Sequence, residues 1–194
     1  MDLSSLLNGP IGQTVISSIA GKLGMDENQA ANVVNTAVPV ILGGLNKNAR
    51  TEEGAASLNK ALEKHDGGIL DNLMGMLGGD TQELEQDGGG ILGHVFGDKQ
   101  SQVEEAVAKK SGISMAQVGP ILAILAPIVM GYLGKQKNQS NTGAGGLGDL
   151  IGGLLGGGGQ KQSSGGGLMG MISGLLDKDK DGSPIDDILE MFTK

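Results

Sequence analysis

The chain has 194 residues, enough for one domain or for a small domain with an appended tail. It carries 37 glycines, well above the usual frequency of about 7%, yet 38% of it is apolar, so part of it can still bury a core. It has no cysteine and no tryptophan, which excludes a disulfide framework, a thiol nucleophile and cysteine-ligated zinc or iron–sulfur sites. A net charge of −8 and only three aromatic residues, Phe96, Tyr132 and Phe192, argue against a nucleic-acid partner, which needs a basic surface.

Met1 to Leu7 carries an acid and no basic leader, so the sequence predicts no secretory signal and a cytoplasmic protein, unless it is exported by a non-classical route. The longest apolar stretch, Val118 to Leu133, is interrupted by Gly119, Pro120, Pro127 and Gly131. A membrane span needs roughly 20 apolar residues, so a buried core helix is the better expectation.

Two segments align without a gap at a shift of 88 residues. Ala20, Lys22, Gly24, Gln29, Pro39, Gly43, Leu45 and Lys47 recur as Ala108, Lys110, Gly112, Gln117, Pro127, Gly131, Leu133 and Lys135. Special-conformation residues coincide, which identifies one structural unit used twice, over about residues 10–47 and 98–135. Each unit reads as helix, tight turn, helix. Ile11, Val15, Ile16, Ile19 and Leu23 make one apolar helix face. Gly24 and Gly112 suit the left-handed position that ends a helix. Asp26-x-x-Gln29 and Ser114-x-x-Gln117 are capping boxes for the next helix. Pro39 and Pro127 each remove a helix hydrogen bond, so a kink or break is expected there. Val118 to Leu133 is apolar nearly all round, so it is either central or covered by a partner.

Between the units Thr51 can cap an amphipathic helix, with Glu52 and Glu53 in its first turn and Lys60, Lys64 and His65 in its last. Beyond it, Gly67-Gly-Ile-Leu, Gly89-Gly-Ile-Leu, Gly145-Gly-Leu and Gly166-Gly-Leu-Met each place glycines before a short apolar helix candidate. No stretch alternates with period two. The expected fold class is all-α: a helical domain over residues 1–135, a Gly/Ser/Gln-rich linker over 136–170 with an apolar island at Leu147 to Leu155, and a C-terminal motif over 171–194.

Gly90-Ile-Leu-Gly-His-Val-Phe-Gly, Asp98-Lys-Gln-Ser-Gln-Val-Glu, Ser111-Gly-Ile-Ser and Leu125-Ala-Pro-Ile-Val-Met-Gly together resemble the YidB-like bacterial domain of unknown function. The resemblance covers about residues 1–135. It implies an all-helical fold and a bacterial source, and brings no catalytic residues with it.

The strongest chemical signal is Asp177-Lys-Asp179-Lys-Asp181-Gly182-Ser183. Calcium takes six to eight oxygen ligands, and carboxylates at alternating loop positions converge on one ion. Gly182 permits the sharp turn and the Ser183 carbonyl would fill the seventh position. The pattern is similar to the first half of an EF-hand or dockerin-type loop. It departs at position 12, which is Ile188, so Asp187 would have to close a shortened loop. Ser183, Pro184 and Asp186 also read as the start of a helix through Phe192, and both readings can hold together. The plainer alternative is a solvated charged turn.

Other matches are weak. Gly143-x-Gly145-x-x-Gly148 lacks a preceding strand and a following acid for a dinucleotide. Ser57-x-x-Lys60 lies in an amphipathic helix without its companion motifs. Asn138-Gln-Ser140 fits a glycosylation sequon, expected to be coincidental in the bacterial protein that the resemblance implies. His65 and His94 show no triad or ligand spacing. The reading is a non-enzymatic interaction or self-assembly protein, a homo-oligomer or partner-binding module, with calcium at Asp177, Asp179, Asp181, Ser183 and Asp187. The alternatives are a peripheral membrane or envelope-associated protein that uses its Gly-Leu segments, and a cryptic hydrolase with a polar pocket near His94.

Overall fold

The two helix–turn–helix units form as their residues dictate. In a computed structural model, which describes residues 7–65 and 81–155 together with Gly68 and Gly75, α1 (Pro10–Leu23) leads into α2 (Glu27–Ala49) and α5 (Gln100–Ser111) into α6 (Met115–Ser140). Pro10 opens α1 where a missing N–H costs nothing. Gly24 (φ 61°) and Gly112 (φ 71°) end the first helix of each unit in the left-handed region. Their amides donate to Ala20 and Ala108, and the next amides, of Met25 and Ile113, donate to the same two carbonyls. Both capping boxes are present, with Gln29 and Gln117 accepting from the Asp26 and Ser114 amides at 3.3 Å. The repeat is therefore one of local geometry as well as of letters.

Between the units, α3 (Glu52–Lys64) is capped by Thr51, whose Oγ1 accepts from the Gly54 amide at 3.1 Å, and α4 (Gln82–Phe96) follows. Short 3₁₀ turns at Gly97–Lys99 and Ala144–Gly146 precede α5 and α7 (Leu147–Leu155), the last helix among the described residues. The described residues contain helix and no strand, as an all-α chain requires.

α6 runs through the middle. It packs most extensively on α4 and also against α2, α5 and α3, while α2 touches all the other helices. Val118 and every residue from Ile121 to Gly134 are buried. Met115–Ser140 is long and apolar enough to cross a membrane, with mean hydropathy 1.8 over its best window, but 78% of that window is buried inside the fold. Its all-round apolar surface is covered by this chain's own helices. Met115, 43% exposed, is the large apolar side chain left at the surface among the described residues.

Three local expectations change. Pro39 and Pro127 lie inside continuous helices, because buried packing along α2 and α6 offsets one lost hydrogen bond each. Gly88, Gly89 and Gly90 lie inside α4 rather than before a helix, since α4 starts at Gln82. The reason is the α4–α6 crossing: a Cβ at Gly88 would overlap the Ala123 carbonyl. Finally, ordered structure passes residue 135. α6 continues to Ser140, and α7 lies within the stretch expected to be linker, with Leu147 and Ile151 fully buried. Glycine content predicts chain entropy, but those two anchors and a hydrogen bond from α2 hold the segment down.

Candidate functional site

The calcium-loop residues Asp177, Asp179, Asp181, Ser183 and Asp187 lie outside the described residues, as do residues 156–170 of the expected linker. Among the described residues no group of three or more His, Cys, Asp or Glu side chains is placed to hold a metal.

A minority of the polar side chains of the body join helices. Lys22 on α1 pairs with Glu85 on α4, which also accepts from Thr81 Oγ1 at 2.9 Å. His65 ends α3 with Nε2 3.6 Å from the Asp87 carboxylate on α4, a pairing across 22 positions that sequence spacing could not reveal. Glu63 accepts from Asn59 Nδ2 at 2.8 Å and faces Lys137 Nζ at 3.6 Å. Asn59 Oδ1 is buried without a partner. His94 is exposed on α4. An open cleft of about 500 Å³ lies along α1, lined by Pro10, Gln13, Thr14, Ser17 and Ser18. Its hydroxyls are engaged: Thr14 donates to the Pro10 carbonyl at 2.9 Å and Ser17 to the Glu27 carboxylate at 2.8 Å. Ser57 and Lys60 are exposed on α3, and Gly143 to Gly148 forms a 3₁₀ turn and the start of α7.

The most distinctive arrangement is the seat of α7. This helix rests chiefly on α2, with smaller contacts to α3 and α6. Leu147 and Ile151, one turn apart, are 0% exposed, while Leu150, Leu154 and Leu155 pack partly against the core. Asn46 of α2 donates from Nδ2 to the Gly148 carbonyl at 2.8 Å, which fixes the helix start. Gly146 is tight, since a Cβ there would lie 2.8 Å from Thr142 Cγ2. Gly148 and Gly152 are not: a Cβ would meet the Ala49 carbonyl oxygen at 3.8 Å and Asn46 Nδ2 at 3.6 Å, both ordinary contacts. Burying Leu147 and Ile151 contributes roughly 1.5–3 kcal/mol each. Against this, Gly148, Gly152 and Gly153 each disfavour the helix by about 0.8–1 kcal/mol relative to alanine. The α7 helix is thus held by its seat rather than by its own propensity. The apolar island is legible in the sequence, whereas Asn46 is one of five asparagines on α2 and nothing along the chain marks it as the residue that holds α7.

No curated protein and no solved structure matches the chain. The family described as bacterial protein of unknown function (DUF937) matches residues 5–136, which takes in α1 to α5 and most of α6 and stops short of α7. With the repeated helix–turn–helix units, the buried α6 and most of the chain inside that match, the protein belongs to this bacterial family of unknown function.

Proposed function

We propose that the protein is a non-enzymatic interaction protein, a helical body that holds short apolar helices on its α2 face and carries a calcium-binding C-terminal arm. The observation that carries this reading is the seating of α7, a glycine-rich helix from beyond the family-matched residues, on α2 through Leu147, Ile151 and the Asn46 hydrogen bond. This face is covered while α7 is seated, and when α7 leaves it, it has the features to take another such helix, from a protein partner or from a second copy of the chain. Self-association through α6 finds no support, because that surface is already covered by the chain itself.

On the arm, Asp177, Asp179, Asp181, the Ser183 carbonyl and Asp187 would supply hard oxygen ligands to one calcium ion and order the segment after Pro184. The test is a calcium titration of the full-length protein by calorimetry, with mass followed by light scattering and Asp179→Ala as control. Binding lost in the variant is expected, and growth in mass would make the arm a switch for assembly. No heat and no structural change up to millimolar calcium would sink the calcium part of the proposal.

A further inference from the structure

The chain carries a near copy of the docked helix. Gly145-Gly-Leu-Gly-Asp-Leu-Ile-Gly-Gly-Leu-Leu155 aligns without a gap with Gly166-Gly-Leu-Met-Gly-Met-Ile-Ser-Gly-Leu-Leu176. The two buried anchors Leu147 and Ile151 recur as Leu168 and Ile172, and Leu154 and Leu155 as Leu175 and Leu176. The differences follow the space around α7. Gly146, where a Cβ would press on Thr142, stays glycine as Gly167. Gly148 and Gly152, where a Cβ would make only ordinary contacts, become Met169 and Ser173. The exposed Asp149 becomes Gly170, and the half-buried Leu150 becomes Met171. The Asn46 hydrogen bond goes to a backbone carbonyl, so any residue at that position can accept it.

We propose that residues 166–176 exchange with α7 for the same seat on α2, within one chain. The proposal rests on the reading of α2 as a helix-binding face. Only ten residues, Gly156 to Gly165, separate the two copies, so tethering gives the second copy a high effective concentration at the seat. The exchange alters the arm. With α7 docked, Asp177 is separated from the last docked residue by residues 156–176. With 166–176 docked, Asp177 follows the docked helix directly. The acidic loop is then drawn in against the body, which makes the α2 seat a two-position clamp on its reach.

The absence of native cysteine allows a direct test in the full-length chain. A Cβ at Gly152 would lie 3.6 Å from Asn46 Nδ2, so Asn46→Cys with Gly152→Cys reports α7 in its seat, and Asn46→Cys with Ser173→Cys reports the second copy there. Asn46→Cys gives up the Asn46 hydrogen bond and leaves the helix on its buried Leu147 and Ile151 anchors. Asn46→Cys with Gly170→Cys, equivalent to exposed Asp149, controls for random collision. Mild oxidation is expected to crosslink the Gly152 pair strongly and the Ser173 pair to a smaller fraction, as monomers on a non-reducing gel. Adding Ile151→Asp, which expels α7, should raise the Ser173 crosslink severalfold and leave the Gly170 pair open. No Ser173 crosslink in either background, while the Gly152 pair forms, would overturn the exchange and leave the α2 reading intact. Equal crosslinking at Ser173 and Gly170, or disulfide-linked dimers, would overturn it as an intrachain clamp. Failure of the Gly152 pair would overturn both readings.

Discussion

Gly88 on α4 sits against the carbonyl oxygen of Ala123 on α6, the carbonyl that Pro127, four residues on, leaves without its usual helix donor. A Cβ at Gly88 would overlap that oxygen, so the hydrogen glycine carries in its place points at it, as in a weak Cα–H···O contact. Two residues that read as helix breakers thus serve one helix crossing. Proline frees an acceptor in a buried helix, and glycine lets the neighbouring backbone reach it.

Gly88→Ala is accordingly expected to destabilise the protein by about 1–3 kcal/mol, through overpacking against backbone that cannot move aside. Gly89→Ala is expected to do the opposite. That position is exposed with open space around it, and alanine favours helix over glycine by about 0.8–1 kcal/mol. Urea midpoints of the two variants against the parent check the pair. Similar midpoints for both would contradict the crossing geometry.

The turn glycines make a second matched pair. Gly24 and Gly112 both hold left-handed backbone, at φ 61° and 71°. Placing a side chain there costs roughly 1–2 kcal/mol, so Gly24→Ala and Gly112→Ala should each destabilise by about that much. A Cβ meets nothing within 4 Å at either position, so the cost is conformational, and Gly→Asn should recover part of it. Thermal or urea unfolding that leaves either variant at parental stability would count against the shared turn.

Two groups on α5 give pH signatures of the same sign at opposite ends of the scale. Burial pushes the Lys110 ammonium below the usual lysine range. The unfolded chain therefore holds more protons in the window between that lowered value and about 10.4, and stability rises with pH across it. Relative to Lys110→Met, the parent should gain in urea midpoint as pH rises through the alkaline window that ends at about 10.4. A constant difference would contradict this. Glu105 is held below the usual carboxylate range by its hydrogen bond from Lys109, 2.8 Å away, and by that residue's charge. Its contribution is present above about pH 4.3 and lost as pH falls through the lowered value. Both partners are exposed, so the advantage over Glu105→Gln should be small and should vanish in high salt.

The parts of this fold legible in the sequence are those set by neighbours along the chain. Gly24 followed by Asp26-x-x-Gln29, and Gly112 followed by Ser114-x-x-Gln117, specify both turns and caps with contacts only a few residues apart. The nearly all-round apolar character of Val118 to Leu133 likewise marks the central helix. What escaped depends on partners distant in sequence. Gly88 belongs inside a helix because Ala123 lies across from it, and a window around Gly88-Gly-Gly contains nothing of Ala123. Leu147 to Leu155 reads as an apolar island in a linker because the sequence around it is glycine-rich, while its order comes from the burial of Leu147 and Ile151 and from Asn46, about 100 residues earlier. His65 and Asp87 meet only because α3 and α4 flank the same core helix. The acids from Asp177 to Asp187 stand as sequence alone, outside the described residues.

The central claim, that α7 is a helix bound to the body rather than part of its cooperative core, is tested most directly by amide hydrogen exchange on the full-length chain. Resting mainly on Leu147 and Ile151, with Leu150, Leu154 and Leu155 partly buried and one side-chain hydrogen bond, α7 should open locally well below a global unfolding free energy of about 5–15 kcal/mol. Its amides would then exchange far faster than those of Ile121 to Leu133 in α6, and Ile151→Asp would abolish their protection while leaving α6 protected. Protection of Leu150 to Leu155 equal to that of α6, lost together with it in the variant, would contradict the account.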